Sequence, residues 1–226
     1  MRIIAYFTKS TEPVPFNNQS VVNGYIHKCL GKENTFHDSF SDYSISSLFG
    51  GVGVNNEYLS FKKPMLIISS KNDDFLSTII GGLNNNKKFE WGMEFSHIDF
   101  VPKENYIEYN YFHTISPILF KDENGLYVTI ENPEFNNVLT EKTKKKLLHY
   151  VSESELVDFK IEKTDSGFEK VRRLYIHGNL NHASLCNLKI TCNKKVADLL
   201  FNLGLGKSTG SGFGCICKTE NIRLYK

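Results

Sequence analysis

The stretch from Gly204 to Gly214 restricts the fold of this chain, because five of the protein's sixteen glycines lie in these eleven residues. Two pairs, Gly204/Gly206 and Gly212/Gly214, each enclose one apolar residue, and a polar, basic run separates them. With so little side-chain volume, the stretch is predicted to lie outside the core, where backbone approaches a partner or takes positive φ. Exposed N–H groups in such a loop would suit a phosphate or a phosphodiester backbone.

The Gly206-Lys207-Ser208 sequence resembles part of a Walker motif, but its spacing excludes one. A Walker motif requires a glycine five residues before the Gly-Lys pair, where this chain has Phe201. A Walker loop also runs from a strand into a helix, whereas residues 193–203 predict a helix and 213–218 a strand. We therefore expect a helix-to-strand loop that binds an RNA backbone. An enzyme that binds a small nucleotide through this loop is the alternative.

Composition predicts an ordinary globular protein, with 40% apolar and 23% charged residues among 226. Because the net charge is only +2, a polyanion site has to come from local basic clusters rather than from a global field. The second half supplies candidates for such a track: Lys142, Lys144, Lys145, Lys146, Lys170, Arg172, Arg173, Lys194, Lys195 and Lys207.

No apolar run approaches the twenty residues of a membrane span, and the chain begins directly with a predicted strand rather than a signal peptide. The five cysteines show no Cys-x-x-Cys spacing. We therefore predict a cytoplasmic protein with buried free thiols and without a membrane partner.

Hydrophobic periodicity predicts the order strand-helix-strand-strand-helix-strand twice. In the first half, strands are predicted at 1–8, 57–61, 64–69 and within 89–112, a short extended segment at 43–48, a turn at 49–56, and helices at 17–30 and 73–83. In the second half, strands are predicted at 115–120, 127–130, 156–163, 169–179, 185–192 and 213–218, and helices at 134–150 and 193–203.

This order predicts an α+β fold of two tandem ferredoxin-like (RRM-like, βαββαβ) modules, each with an antiparallel sheet and two helices on one face. The boundary is expected near Phe112, which gives modules of residues 1–112 and 113–226. The first module would carry the catalytic histidine and the second the glycine-rich loop.

His37 is the strongest catalytic candidate among seven histidines, because it lies beside Asp38 in a polar loop directly after the first helix. Imidazole has an ordinary pKa of about 6.5, so this side chain could act as general acid or base near neutral pH. The acidic pairs Asp73-Asp74 and Glu153/Glu155 lie where helices or loops begin, and we predict neither a metal site nor a cofactor.

Taken together, the chain resembles the RAMP superfamily and, more narrowly, the CRISPR repeat-processing endoribonucleases. The resemblance covers nearly the whole chain and rests first on the Gly-apolar-Gly, five residues, Gly-aromatic-Gly loop. A first helix carrying Tyr25 and followed by His37 agrees with the processing branch. Tyr43-Ser-Ile-Ser-Ser-Leu48 is similar to the family's "FTFS-x-L" segment, and Thr114-Ile-Ser-Pro-Ile-Leu119 to the "SP" strand that opens its second module.

The resemblance implies metal-independent cleavage of CRISPR precursor RNA within its repeats, by attack of the 2′-hydroxyl on the adjacent phosphate. The products would be a 2′,3′-cyclic phosphate and a 5′-hydroxyl. His37 would be the base or acid and Tyr25 its hydroxyl partner. The precursor and the mature guide RNA would be held by Gly204, Gly206, Lys207, Ser208, Thr209, Gly210, Ser211, Gly212, Gly214, Arg172 and Arg173.

One departure from the family pattern keeps a second function open. The family often has a lysine shortly after the histidine, where this chain has Ser39-Phe40-Ser41-Asp42. Lys28 or Lys62 could supply the charge, or the site would be slower. If the site is inactive, the chain would be a catalytically inactive RNA-binding subunit of a CRISPR effector complex. Association with other effector subunits and formation of a homodimer are equally open.

Overall fold

The computed structural model describes residues 1–31, 36, 42–103, 105–107, 109–176 and 178–220. They form the predicted α+β fold of two tandem ferredoxin-like modules with antiparallel sheets. Among these residues, no helix has the length and apolar character needed to cross a membrane.

The first module contains a sheet with two helices packed on one face. Its elements are β1 (Arg2–Phe7), β2 (Val14–Pro15), α1 (Gln19–Leu30), β3 (Tyr43–Ile45), β4 (Phe49–Gly53), β5 (Tyr58–Ser70), α2 (Asp73–Asn85) and β6 (Phe95–Phe100). The sheet order is β2-β5-β1-β6, and β3 and β4 also pair with β5. Alternate residues of β1, such as Ile3 and Ala5, point towards α1 and α2 and are fully buried.

The second module repeats this arrangement and adds a two-stranded ribbon. Its elements are β7 (Tyr109–Thr114), α3 (Phe135–Leu147), β8 (Lys160–Thr164), β9 (Lys170–Ile176), β10 (Asn179–Leu185), β11 (Asn187–Thr191), α4 (Lys194–Leu203) and β12 (Ile216–Lys218), with short 3-10 turns at Glu153–Leu156 and Thr209–Ser211. The order β12-β7-β11-β8 forms the sheet, and β9 pairs only with β10.

Helix boundaries follow the capping signals in the sequence. Asn72 and Asn193 each accept backbone N–H bonds in the first turn, of α2 and α4 respectively. Gly31 ends α1 with a positive φ of 84°, and its N–H donates to the carbonyls of His27 and Lys28. These contacts explain why the predicted starts of α2 and α4 and the predicted end of α1 agree with the structure to within a residue or two.

Some predicted strands were wrong in detail. Residues 49–53, predicted as part of a turn, form β4. The predicted strand 169–179 is divided into β9 and the start of β10, with Gly178 in the intervening turn at φ 77°. Residues 115–120 make one isolated bridge, at Ile118, rather than a strand, since Pro117 lacks the N–H that a regular ladder requires. The predicted strand 127–130 likewise makes only one bridge, at Tyr127.

The two modules share an interface at which the second face of the first sheet is covered. Ile4 and Ile67 pack there against Cys215 and Cys217 of the second module. All five cysteines are buried free thiols, as predicted. The module boundary between residues 112 and 113 stays a prediction. That position lies inside β7, a strand that pairs with β11 and β12 of the second module.

Arg2 is the principal polar residue of this interface and is only 1% exposed. Its guanidinium donates to the carbonyl of Ile216 at 2.7 Å and to that of Phe201, and it lies 3.5 Å from the centre of the Phe201 ring. A side chain from the first strand therefore satisfies two carbonyls near the end of the chain.

We predict that Arg2→Ala lowers the free energy of unfolding by about 1–3 kcal/mol or more, because the buried Ile216 carbonyl loses the guanidinium and the Phe201 carbonyl keeps only the long bond from Ser69 Oγ at 3.5 Å. Urea unfolding monitored by circular dichroism measures the change. The exposed Lys63 on β5 provides the control, and Lys63→Ala should change stability by less than about 0.5 kcal/mol. Equal stabilities of the Arg2 and Lys63 variants would contradict this role.

Candidate nucleic-acid interface

The glycine-rich loop lies largely inside the protein, so the prediction that it stays outside the core was wrong. Leu205 is fully buried and Phe213 is 1% exposed, and most of the loop's glycines are buried as well. Only Lys207 and Ser208 are exposed between Gly204 and Gly214. The glycines serve close approach of the loop to its own protein, a use of glycine that the sequence could not distinguish from approach to a ligand.

Gly214 and Gly212 show this requirement most clearly. A Cβ on Gly214 would lie 1.8 Å from the carbonyl oxygen of Leu205, and Gly214 has a φ of 65°. A Cβ on Gly212, which has a φ of 91°, would lie 2.1 Å from the Gln19 side chain on α1. Neither position has room for a side chain, and both use backbone angles that favour glycine.

Hydrogen bonds fix the loop to both modules. On the first-module side, Thr209 Oγ1 donates to the Tyr43 carbonyl at 2.9 Å, and Asn23 donates to the Ser211 carbonyl at 3.3 Å. On the second-module side, the Lys207 N–H donates to Leu119 at 2.7 Å, one of several loop amides that donate to the protein's own carbonyls. The loop is therefore a structural connector between the modules, with fewer free N–H donors than the sequence suggested.

The outer edge of the loop forms one wall of a basic cleft of about 520 Å³. Helix α3 and the segment that follows it supply the opposite wall, and residues 120–121 complete the lining. We call this feature the basic cleft; it is lined by Phe120, Lys121, Lys142, Thr143, Lys145, Lys146, His149, Gly206, Lys207, Ser208, Thr209 and Ser211. Five of these residues are lysines and none is acidic, although the whole chain carries a net charge of only +2.

The spacing along α3 explains why its basic residues converge. Lys145 and Lys146 follow Lys142 by three and four positions on α3, so the three lysines lie on one helical face. His149, two residues beyond the end of α3, lines the same cleft. Lys144 points elsewhere and forms an ion pair with Glu141 at 3.4 Å. The predicted basic run on this helix is thus a directed surface rather than an evenly solvated one.

Lys146 is the anchored member of this face. Its Nζ donates to the carbonyls of Leu203 and Gly204, at 3.0 and 3.4 Å, where α4 ends and the loop begins. Burial lowers the pKa of Lys146 to about 8, and the Asp42 carboxylate acts in the opposite direction. The ammonium form still predominates at pH 7, so this lysine holds α3 against the loop while its charge stays at the cleft.

Tyr150, one turn beyond Lys146, connects the cleft to the first module. Its hydroxyl donates to the Asp42 carboxylate, and the Lys71 ammonium lies 4.7 Å from its ring centre. Burial, with the bond to Asp42, raises the pKa of the Tyr150 hydroxyl above its usual value. The cleft wall is therefore tied to the residue that follows the segment 37–41.

The remaining predicted basic residues do not all join the cleft. Lys195 pairs with Glu155 at 3.0 Å, and Lys194 lies at the start of α4 in a separate depression. Arg172 and Arg173 are exposed on β9, and as neighbours on a strand they point to opposite faces of the ribbon. The single predicted track thus divides between the basic cleft and the ribbon, and Lys144, Lys194 and Lys195 join neither.

Of the two predicted catalytic residues, His37 and Tyr25, the structure describes only Tyr25. His37 lies outside the described residues; Phe36, directly before it, packs edge-on against Phe75 with ring centres 5.3 Å apart. Tyr25 is 6% exposed, and its hydroxyl donates to the Asn86 carbonyl at 2.7 Å. Burial raises the pKa of Tyr25, which keeps its phenol protonated.

Lys28 and Lys62, the two candidates to supply the charge of the missing lysine, lie on different elements of the first module. Lys28 lines a depression together with Tyr25 and residues 88–90, whereas Lys62 is exposed on β5. Among the described residues, no group of three or more His, Cys, Asp or Glu side chains is arranged to hold a metal ion.

The sequence analysis did not identify Lys121 and His149 as residues that line the basic cleft. Lys121 lies in a turn region with no basic neighbour in sequence, so no periodic signal marks it. His149 is the i+7 partner of Lys142, and that spacing could have identified it.

We predict that Gly214→Ala lowers the free energy of unfolding by several kcal/mol, because its methyl group would collide with the Leu205 carbonyl oxygen. Gly24 on α1 is the matched control, since a Cβ there meets nothing within 4 Å. Gly24→Ala should stabilise the protein by about 0.5–1 kcal/mol, the ordinary helix preference for alanine. Thermal unfolding of both variants checks this, and similar effects at the two positions would show that the loop is not tightly packed.

Comparison with known proteins agrees with this architecture. The family model described as CRISPR associated protein Cas6, C-terminal, matches residues 100–217, which is 118 of 226 residues. No curated protein sequence matches the chain significantly.

Solved structures share the fold over nearly the full length of both chains. A structure described as a CRISPR associated protein Cas6 has a TM-score of 0.78 and 21% identity, covering 97% of this chain and 99% of its own. A protein from a Cas6-related gene of Pyrococcus furiosus has a TM-score of 0.83 and 20% identity, with coverages of 97% and 98%. A RAMP protein described as binding different RNA substrates has a TM-score of 0.81 and 20% identity, with coverages of 96% and 99%. Since the family model matches more than half of the sequence, this chain belongs to the CRISPR-associated Cas6 family.

Proposed function

We propose that this protein is a metal-independent endoribonuclease that cleaves CRISPR precursor RNA within its repeats to release mature guide RNAs. The observation that carries the proposal is the basic cleft, in which five lysines and the outer edge of the glycine-rich loop converge in a member of the Cas6 family. The reaction takes place in the cytoplasm, with the protein alone, paired with a second copy or joined to other CRISPR effector subunits.

The charge of the cleft suits an RNA backbone. Lys142 and Lys145 on one wall and Lys207 on the other provide ammonium groups on both sides of a strand. The hydroxyls of Ser208 and Ser211 add neutral donors to phosphate oxygens. Within the loop, the exposed residues Lys207 and Ser208 make the direct contacts, and the glycines contribute by holding that edge in place.

The chemistry requires a base, an acid and stabilisation of a charged phosphorane. The 2′-oxygen loses its proton to the base and bonds to the adjacent phosphorus; the bond from phosphorus to the 5′-oxygen breaks, and the acid protonates that oxygen. His37 serves as one of these two groups. Tyr25 does not act as the base, because its raised pKa keeps the phenol protonated and its hydroxyl donates to the Asn86 carbonyl.

A second function is favoured by the absence of lysine between Ser39 and Asp42. In this alternative the chain binds repeat RNA through the same cleft and remains a non-catalytic subunit of an effector complex. The two functions predict equal binding and differ only in products.

We predict that the protein cuts the repeat RNA of its own genome once per repeat in the presence of EDTA, leaving 2′,3′-cyclic phosphate and 5′-hydroxyl ends. His37→Ala should lower the single-turnover rate by about a hundredfold or more, the scale of general acid–base catalysis, with an unchanged Kd for the RNA. Gel electrophoresis of end-labelled RNA measures the rate, and filter binding the Kd.

The matched control is His97→Ala, since His97 is an exposed histidine that stacks on Tyr6 away from the cleft. It should cut at the wild-type rate. Tight binding without any product would support the non-catalytic subunit, whereas full activity of His37→Ala would remove His37 from the mechanism.

A further inference from the structure

We infer that Tyr175 and Leu180, on the distal part of the β9–β10 ribbon, form a stacking surface for an unpaired nucleobase of the RNA whose backbone occupies the basic cleft. This inference rests on the proposed function, since it requires RNA in that cleft. It assigns to the ribbon a recognition role that is separate from charge.

The register of the ribbon places the relevant side chains on one face. Tyr175 lies opposite Leu180 and Arg173 lies opposite His182, in an antiparallel pairing without a bulge. Because side chains alternate along a strand, these four residues share a face. Arg172 and Ile176 project from the other face, where Ile176 is buried with Phe213 of the glycine-rich loop.

Two large apolar side chains on this face of the ribbon are unusually exposed to solvent. Tyr175 is 53% exposed and Leu180 is 36% exposed, so a cross-strand aromatic–aliphatic pair faces solvent next to a guanidinium. The opposite face already fixes the ribbon to the protein through Ile176 and Ala183, both buried. The exposed pair therefore contributes little to holding the ribbon and is free to contact a partner.

A chain of contacts connects this surface to the basic cleft. Lys121 lines the cleft, and its Nζ lies 4.3 Å from the centre of the Tyr127 ring. The Tyr127 ring stacks on His182 with centres 5.5 Å apart, and its hydroxyl donates to the Leu180 carbonyl at 3.0 Å. An RNA strand leaving the cleft past Lys121 would thus meet Arg173 and then the Tyr175–Leu180 pair.

The geometry of RNA identifies an unpaired base as the ligand. A two-stranded ribbon can read the major groove of B-form DNA, but the major groove of A-form RNA is too deep and narrow for such readout. Unpaired bases, in contrast, stack on exposed aromatic rings, and each such contact is worth about 1–3 kcal/mol. Arg173 beside the ring supplies a cation for the phosphate of the same nucleotide.

The test measures the affinity of repeat RNA from the same genome by fluorescence anisotropy, with every variant made in the His37→Ala background to prevent cleavage. Tyr175→Ala should raise the Kd by about 5- to 150-fold, which corresponds to the loss of one stacking contact. Tyr175→Phe keeps the ring and should remain within about twofold of the parent.

A set of RNAs, each lacking one base, locates the contact. At one position, removal of the base should weaken binding to the parent as much as Tyr175→Ala does, and that RNA should bind parent and variant equally. The matched control is Tyr58→Ala, because Tyr58 is 36% exposed on β5 and does not line the cleft. This control should bind like the parent.

The outcomes separate this inference from the proposed function. A parent that fails to bind the RNA contradicts the proposed function itself. A parent that binds tightly, with Tyr175→Ala unchanged or with Tyr175→Phe as weak as Tyr175→Ala, overturns the stacking role alone. In that case the exposed pair would serve a protein partner.

Discussion

The contact between the backbone of the glycine-rich loop and the two modules is the constraint on which the rest of this structure depends. At Gly214 and Gly212 the loop approaches neighbouring groups so closely that no side chain fits. The loop reaches Tyr43 and Asn23 on one side and Leu119 on the other. Together with the buried Arg2, it determines how the two sheets face each other, and therefore where the lysines of one module stand relative to the other.

The cleft follows from this arrangement rather than from the net charge of the chain. Lys146 ties α3 to the end of α4, and Tyr150 ties the same region to Asp42. Lys142 and Lys145 consequently line the same cleft as Lys207, without a compensating acidic residue in the lining. The backbone segments that carry these lysines are already held in place, so less of the protein has to be ordered when a polyanion binds.

The sequence predicted the fold well, because local signals specify its elements. Asparagine caps, the glycine after α1 and the strand alternation all act over a few residues, so the repeated element order was readable. The β9–β10 hairpin was missed although Gly178-Asn179 is a turn signal between two runs of strand residues, because that signal was included in the predicted strand. Segment 115–120 looked like a strand, but its partners are set by tertiary contacts around Pro117.

The candidate site was only partly predictable for the same reason. The face of α3 has a periodic signal, and its lysines were found as a group. The meaning of the loop glycines depends on residues more than a hundred positions away, such as Tyr43 and Gln19, so close packing and ligand approach look alike in one sequence. Lys121 and Tyr175 have no local signal, and only the three-dimensional arrangement connects them to the cleft.

The central claim, that the basic cleft holds the RNA backbone, is tested most directly by the salt dependence of RNA binding. Replacing Lys142, Lys145 and Lys207 together by glutamine should make the fall of log K, the logarithm of the binding constant, with log salt less steep by about 2. Each phosphate of a single strand that a lysine neutralises contributes about 0.7 to the steepness of that slope. The same replacement of Lys144, Lys160 and Lys195, which pair with carboxylates outside the cleft, should leave the slope unchanged. Equal slopes for the two triple variants would contradict the account.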